Sequence, residues 1–152
     1  MLGLGDTKKR AIIWNQIKSI TQAYSPKIVV WALQETHSTE ELFNKWKFEL
    51  GPDWYAVTSN GSSNSKGVCI ISKTKIQHFY SDSEGRIVIG NIVTDTPIFI
   101  GSFYCPSNGI NERVEWINEL DWDLFEQSQV WIGGDWNLVT EQSGRHSVYT
   151  TW

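Results

Sequence analysis

The chain has 152 residues, 40% of them hydrophobic, with nine tryptophans, six phenylalanines and five tyrosines; this suffices for one packed domain and excludes a disordered tail. Its net charge of −4 argues against a module that grips nucleic acid by charge alone, though not against an enzyme whose site carries carboxylates. No apolar run reaches the roughly 20 residues of a membrane helix and no charged-then-apolar leader opens the chain, while Cys69 and Cys105, each inside an apolar stretch, suit reduced core thiols of an intracellular protein.

Residues 1–5 (MLGLG) read as the tail of something that began earlier. Asp6 or Thr7 can cap a helix beginning near Lys8, with Ile13, Ile17, Ile20 and Tyr24 as its apolar face, and Ser25 with Pro26 ends it. Residues 27–33 (KIVVWAL) are almost continuously apolar, the pattern of a strand buried on both faces, and deliver Gln34, Glu35, Thr36 and His37 into a loop. Ser38 and Glu41 form a capping box for a helix that buries Leu42, Phe43, Trp46 and Leu50 and stops at Gly51 and Pro52. The pattern then turns to short strands: residues 54–58, 67–72, 76–80, 86–93 and 98–104, with a polar loop (SNGSSNS) at residues 59–65. A helix over residues 111–125 is expected to bury Val114, Ile117, Leu120 and Leu124. A last strand, residues 129–132, runs into Gly133, Gly134, Asp135, Trp136 and Asn137, and the chain beyond Val139 is polar and patternless. Helices between strands early and consecutive strands in the middle give an α/β (α+β) class, mixed sheets covered by helices.

Glu35, Tyr104 and Asp135 each lie at the end of an apolar strand, where layered α/β folds build their sites. A carboxylate in Glu35's position is costly unless neutralised; it serves either as a ligand for a hard cation such as Mg2+ or as a cap for the following helix. Asp135 can take a proton from, or orient, an attacking water, and Asn137 can donate to a developing oxyanion. The two preceding glycines are otherwise a turn with Asx hydrogen bonds. Tyr104, before Pro106, offers a phenol to a phosphate oxygen or is a half-buried core residue. In residues 82–86 (DSEGR), Arg86 is either a phosphate contact or part of a solvated hairpin turn.

In order, a Leu-Gln-Glu-Thr strand end, a Gly-Val strand after a Ser/Asn loop, a Glu-Gly-Arg turn, a Tyr-x-Pro loop and a Gly-Gly-Asp-x-Asn strand end resemble the endonuclease/exonuclease/phosphatase superfamily. The chain looks most similar to the endonuclease domain of LINE-type (non-LTR) retrotransposons, through Leu4 and Gly5 ahead of a Lys/Arg-rich helix start, the segment 34–37, the segment 61–68 (GSSNSKGV) and Gly133 to Asp135. The resemblance covers residues 1–139 and leaves 140–152 as a tail or the start of a further part. It implies a four-layer α/β/β/α sandwich of the DNase I-like type, with Glu35 as the Mg2+ (or Mn2+) ligand and Tyr104 against the scissile phosphate. Asp135 and Asn137 would handle the water and the transition state, and Ser107 and Arg86 would contact substrate. DNA is the implied substrate, a reverse transcriptase of the same element the implied partner, and the nucleus the implied compartment, without membrane attachment or an obligate oligomer.

Several features depart from that pattern. The family's first strand ends in an asparagine near the metal, where this chain has Met1 and Leu2, and no Ser-Asp-His ending follows Asn137; His146 lies in QSGRHSV without an aspartate before it. Ser107 stands where repair members carry an asparagine, and Trp136 where Phe or Leu is commoner. His37 matches no catalytic position and reads as a polar loop residue. A single domain lacking its first and last strands, marginally stable and a poor nicking enzyme on its own, is therefore expected. The alternatives are a non-catalytic remnant and a small-molecule (inositol polyphosphate-type) phosphatase.

Overall fold

The computed structural model describes residues 3–25, 27–125 and 129–137. Helix α1 (Thr7–Ala23) begins where Asp6 accepts a hydrogen bond from the Lys9 backbone N–H at 2.8 Å, satisfying a donor that the first turn cannot pair. Its buried face is Arg10, Trp14, Ile17 and Thr21. This corrects the expected stripe, since Ile20 and Tyr24 are exposed. Both stripes have the helical period, and polar partners decide between them. The Trp14 indole N–H donates to Glu49, and the Thr21 hydroxyl accepts from the Trp31 indole, so these polar tips bury without loss of hydrogen bonds.

β1 (Val30–Leu33) is shorter than the apolar run that predicted it. Only Leu33 is fully buried, and Ile28 is half exposed. Among the described residues β1 pairs with β3 alone, and Val30, Trp31 and Ala32 are only half-buried, so the run is not a strand enclosed on both faces. α2 (Glu40–Leu50) buries Phe43, Trp46 and Leu50 as expected. Its cap, however, is Thr39, whose hydroxyl accepts from the Leu42 N–H. Ser38 is fully buried, and its hydroxyl instead accepts from the Thr36 hydroxyl and shares a hydrogen bond with that of Thr58.

β2 (Tyr55–Ser59) and β3 (Val68–Ser72) complete an antiparallel sheet ordered β1-β3-β2. β4 (Ile76–Ser81), β5 (Ile87–Ile92), β6 (Ile98–Tyr104) and β7 (Gln129–Asp135) form a second sheet in that order. β6 and β7 run parallel, joined through α3 (Ile110–Glu119), as a parallel pair requires a crossover. The predicted helix over 111–125 is in fact α3 plus one 3-10 turn (Trp122–Phe125), broken at Leu120, whose backbone is extended. Val114 faces solvent, and Trp116 takes its place on the buried side; the side chain of Leu124 lies outside the described residues.

Strand alternation sorts the apolar side chains into three layers of core. Leu33, Cys69 and Ile71 face Trp14, Ile17, Phe43 and Trp46 of the first two helices. Val57, Val68 and Ile70 meet Ile76, Val88 and Ile92 between the sheets. Ile87, Ile89 and Phe103 carry Trp116 and Leu120 on the far side. The result is helix, sheet, sheet, helix: the four-layer sandwich. Both cysteines are free and buried, with desolvation holding each thiol in its protonated form. Among the described residues no helix is long and apolar enough to cross a membrane.

Candidate functional site

Because β6 and β7 are parallel, both end on the same rim of the sandwich, with Tyr104 directly beside Asp135. The glycines before Asp135 do not form a turn. Gly133 and Gly134 continue the ladder opposite Ser102 and Phe103. At Gly134 a Cβ would collide with the Phe103 backbone carbonyl, so glycine is required by close approach of two strands.

Tyr104 lies on the inner face of β6, between the two sheets, and its hydroxyl donates to Glu35 Oε1 at 2.5 Å. Burial, first, and then this bond and the nearby Glu35 and Asp135 charges push the phenol up to about 12; the Arg86 guanidinium opposes the shift. The phenol is therefore a neutral donor across the physiological range. Glu35 itself has φ 50°, and His37 φ 52°, a left-handed conformation uncommon outside glycine and kept only where the surroundings enforce it. Thr36, between them, is the anchor. Its N–H donates to Gly67 O at 3.0 Å, and its carbonyl accepts from Leu4 N–H at 2.9 Å. Gly67 (φ +90°) has Thr36 Oγ1 2.5 Å from where a Cβ would stand, so the contact needs glycine there.

Asn137, also left-handed at φ 49°, donates its backbone N–H to Asp135 Oδ1 at 2.9 Å and its amide to Cys105 O at 2.6 Å. The Cys105 N–H in turn donates to Asp135 O at 2.9 Å. These bonds lock the loops after β6 and β7 together. Arg86 lies behind Tyr104 with its guanidinium carbon 5.7 Å from the ring centre and Nη1 3.2 Å from Tyr104 O. Trp136 packs on Phe103 in the outer core, ring centres 5.7 Å apart. Ser107 is exposed with no bond to this cluster. Neither His37 nor His78 joins it, the latter being bonded to Ser81 on β4; His146 lies outside the described residues.

Among the described residues only one oxygen of Glu35 is engaged, by Tyr104, and one of Asp135, by Asn137, so that within this set each has a carboxylate oxygen for a cation. Among the described residues no group of three or more His, Cys, Asp or Glu could form a protein cage for a metal. A hard ion held by one carboxylate, waters and a substrate phosphate is compatible with this arrangement.

No protein-family model and no curated protein sequence matches the chain. Among solved structures it is similar to the AP endonuclease LMAP from Leishmania major, with TM-score 0.56 at 16% identity over 88% of this chain. It is also similar to the endonuclease domain of TRAS1, a telomere-specific non-LTR retrotransposon, with TM-score 0.55 at 15% identity over 86%. The chain has the DNase I-like fold. It spans 52% and 56% of those two chains, about half the length of each.

Within this DNase I-like frame three residues went unmarked in the sequence. Ser102 accepts from the Gln34 amide at 3.0 Å and donates to Leu33 O at 3.2 Å, tying the second sheet to the end of β1. Its signal was a polar residue at an inward position of an apolar strand. Asp82, read as a solvated turn charge, accepts from the Arg86 and Ile87 N–H groups and the Ser59 hydroxyl. Arg10 supports the loop through Leu4 O at 2.7 Å; a buried arginine has no signature in a helical stripe.

Proposed function

We propose that the rim formed by Glu35, Tyr104, Asp135 and Asn137 is a metal-assisted phosphodiester-hydrolysis site and that its substrate is DNA. The observation that carries the reading is the convergence of these four residues, from three separate strand ends, into one hydrogen-bonded rim around Tyr104 and Asp135. The two solved structures named above are endonucleases by name, which supports nucleic acid over a small phosphate ester.

Glu35 would hold Mg2+ or Mn2+ through the carboxylate oxygen that Tyr104 leaves open, the ion supplying neutralisation of charge on the phosphate oxygens. Tyr104 orients that carboxylate by donating to its other oxygen. Asp135 accepts the proton of the attacking water as the new P–O bond forms and the bond to the leaving strand breaks. The free amide hydrogen of Asn137 donates to the oxygen that gains charge. Among the described residues no histidine shares the proton work, so nicking is expected to be slow. In a retroelement the working partner would be the reverse transcriptase of the same element, and the compartment the nucleus.

The test is nicking of supercoiled plasmid by the purified chain, alongside Mn2+ binding followed by paramagnetic resonance. Slow nicking that stops in EDTA is expected, with Asp135→Asn lowering the rate by about 10²–10⁴-fold and Glu35→Gln weakening Mn2+ binding. Nicking that persists in EDTA or in Asp135→Asn, or Mn2+ binding indifferent to Glu35, would overturn the assignment.

A further inference from the structure

Arg86 was expected at the substrate, yet its side chain is only 10% exposed. Its position is fixed from four directions. The backbone N–H is held by the Asp82 carboxylate at 2.9 Å, and the backbone carbonyl accepts from Tyr104 N–H at 2.8 Å. Within the side chain, Nη1 donates to Tyr104 O at 3.2 Å and Nε to Glu84 at 3.4 Å. The guanidinium carbon stands 5.7 Å from the centre of the Tyr104 ring, within the range of cation–π attraction. Glu84 also receives Lys66 at 3.1 Å, which partly neutralises this end of the site. Two of the five guanidinium N–H donors are engaged in this way, and it is the burial of the side chain, 10% exposed, that makes the fork poorly available to a phosphate approaching from solvent.

We infer that Arg86 is a positioning residue: it fixes the ring and carbonyl of Tyr104 from behind, so that the hydroxyl stays directed at Glu35, and it does not touch the substrate. This rests on the reading of the rim as a hydrolytic site. Removal of the guanidinium frees the phenol to rotate away from Glu35, an effect that should vanish once the hydroxyl is absent. A phosphate contact would behave differently, weakening DNA binding whatever residue 104 is.

A double-mutant cycle separates the two. In plasmid nicking, Arg86→Gln is expected to lower kcat about tenfold with KM unchanged, to be partly rescued by Arg86→Lys, and to have no further effect in Tyr104→Phe. DNA binding in EDTA is expected to keep its salt dependence, whereas loss of a phosphate contact would reduce the slope of log K against log salt by about 0.9. A readout free of catalysis uses 13C-tyrosine-labelled chain, with the Tyr104 ring signals assigned by their loss in Tyr104→Phe. Arg86→Gln is expected to move those signals and leave the other four tyrosines in place. Equal Arg86→Gln penalties in both backgrounds, a reduced salt slope, or unmoved Tyr104 signals in a variant that melts like the parent would each overturn the inference. If the parent fails to nick, the hydrolytic reading falls, while the ring signals and salt slope still decide the placement of Arg86.

Discussion

The pair Arg10–Glu49 allows a stability prediction worked from geometry. The Arg10 side chain is 3% exposed and donates to both oxygens of Glu49, each at 2.7 Å, while the Trp14 indole adds a donor at 2.9 Å. The substitution Glu49→Ala leaves a buried guanidinium with only neutral partners, the Leu4 and Gly5 carbonyls and the Thr7 hydroxyl, and removes the acceptor of Trp14. Breaking a fully buried ion pair costs about 3–5 kcal/mol. Glu49 is 30% exposed, so water restores part of the loss, and about 2–3 kcal/mol is expected, a fall in Tm of about 4–12 °C for a chain of this size. Hydrogen bonding from Arg10, the largest cause, holds the Glu49 carboxyl below its usual range. Its contribution is therefore complete above the ordinary glutamate pKa of about 4.3 and is lost as pH falls through the lowered value. Urea unfolding followed by tryptophan fluorescence, at neutral pH and in acid, measures both effects. A destabilisation below about 0.5 kcal/mol, or an acid loss in Glu49→Ala equal to that of the parent, would refute the reasoning.

Two further outcomes follow from local geometry. Gly134→Ala, whose methyl would meet the Phe103 backbone, is expected to destabilise by about 2–4 kcal/mol or abolish soluble expression. Gly133→Ala, with only the Ala32 Cβ at 3.9 Å, should stay within about 1 kcal/mol of the parent in the same urea titration; equal effects would contradict the register of β6 and β7. The Tyr104 phenol, pushed up to about 12, binds its proton more tightly when folded than unfolded. Stability should thus decline as pH rises from about 10, the ordinary tyrosine value, toward 12. Tyr104→Phe should show a shallower alkaline decline in thermal melts; an unchanged slope would count against the shifted phenol.

Much of the placement of strands was legible because short apolar runs bounded by turn residues act locally, as residues 67–72 and 98–104 show against β3 and β6. What misled was apolar periodicity where two faces compete. Ile20 and Tyr24 fit a helical stripe, yet the buried face carries Arg10 and Thr21, because burial of a polar group depends on partners far along the chain, Glu49 and Trp31. Ser38 likewise satisfied a capping pattern but was drawn into the buried hydroxyl cluster with Thr58, leaving Thr39 to cap.

Taken alone, the sequence determined the class of layers and the residues that lie at strand ends, since backbone propensity and burial period are written over short windows. Glu35, Tyr104 and Asp135 could be named in this way. Only the tertiary structure decided what they do to one another. The parallel pairing of β6 with β7 sets Tyr104 beside Asp135, and the stacking of two sheets brings its hydroxyl to Glu35, 69 residues away in sequence. The same packing turned Arg86 from an exposed turn charge into a support beneath the Tyr104 ring. Contacts of that range depend on how whole sheets close over a shared core, and no local pattern of residues records it.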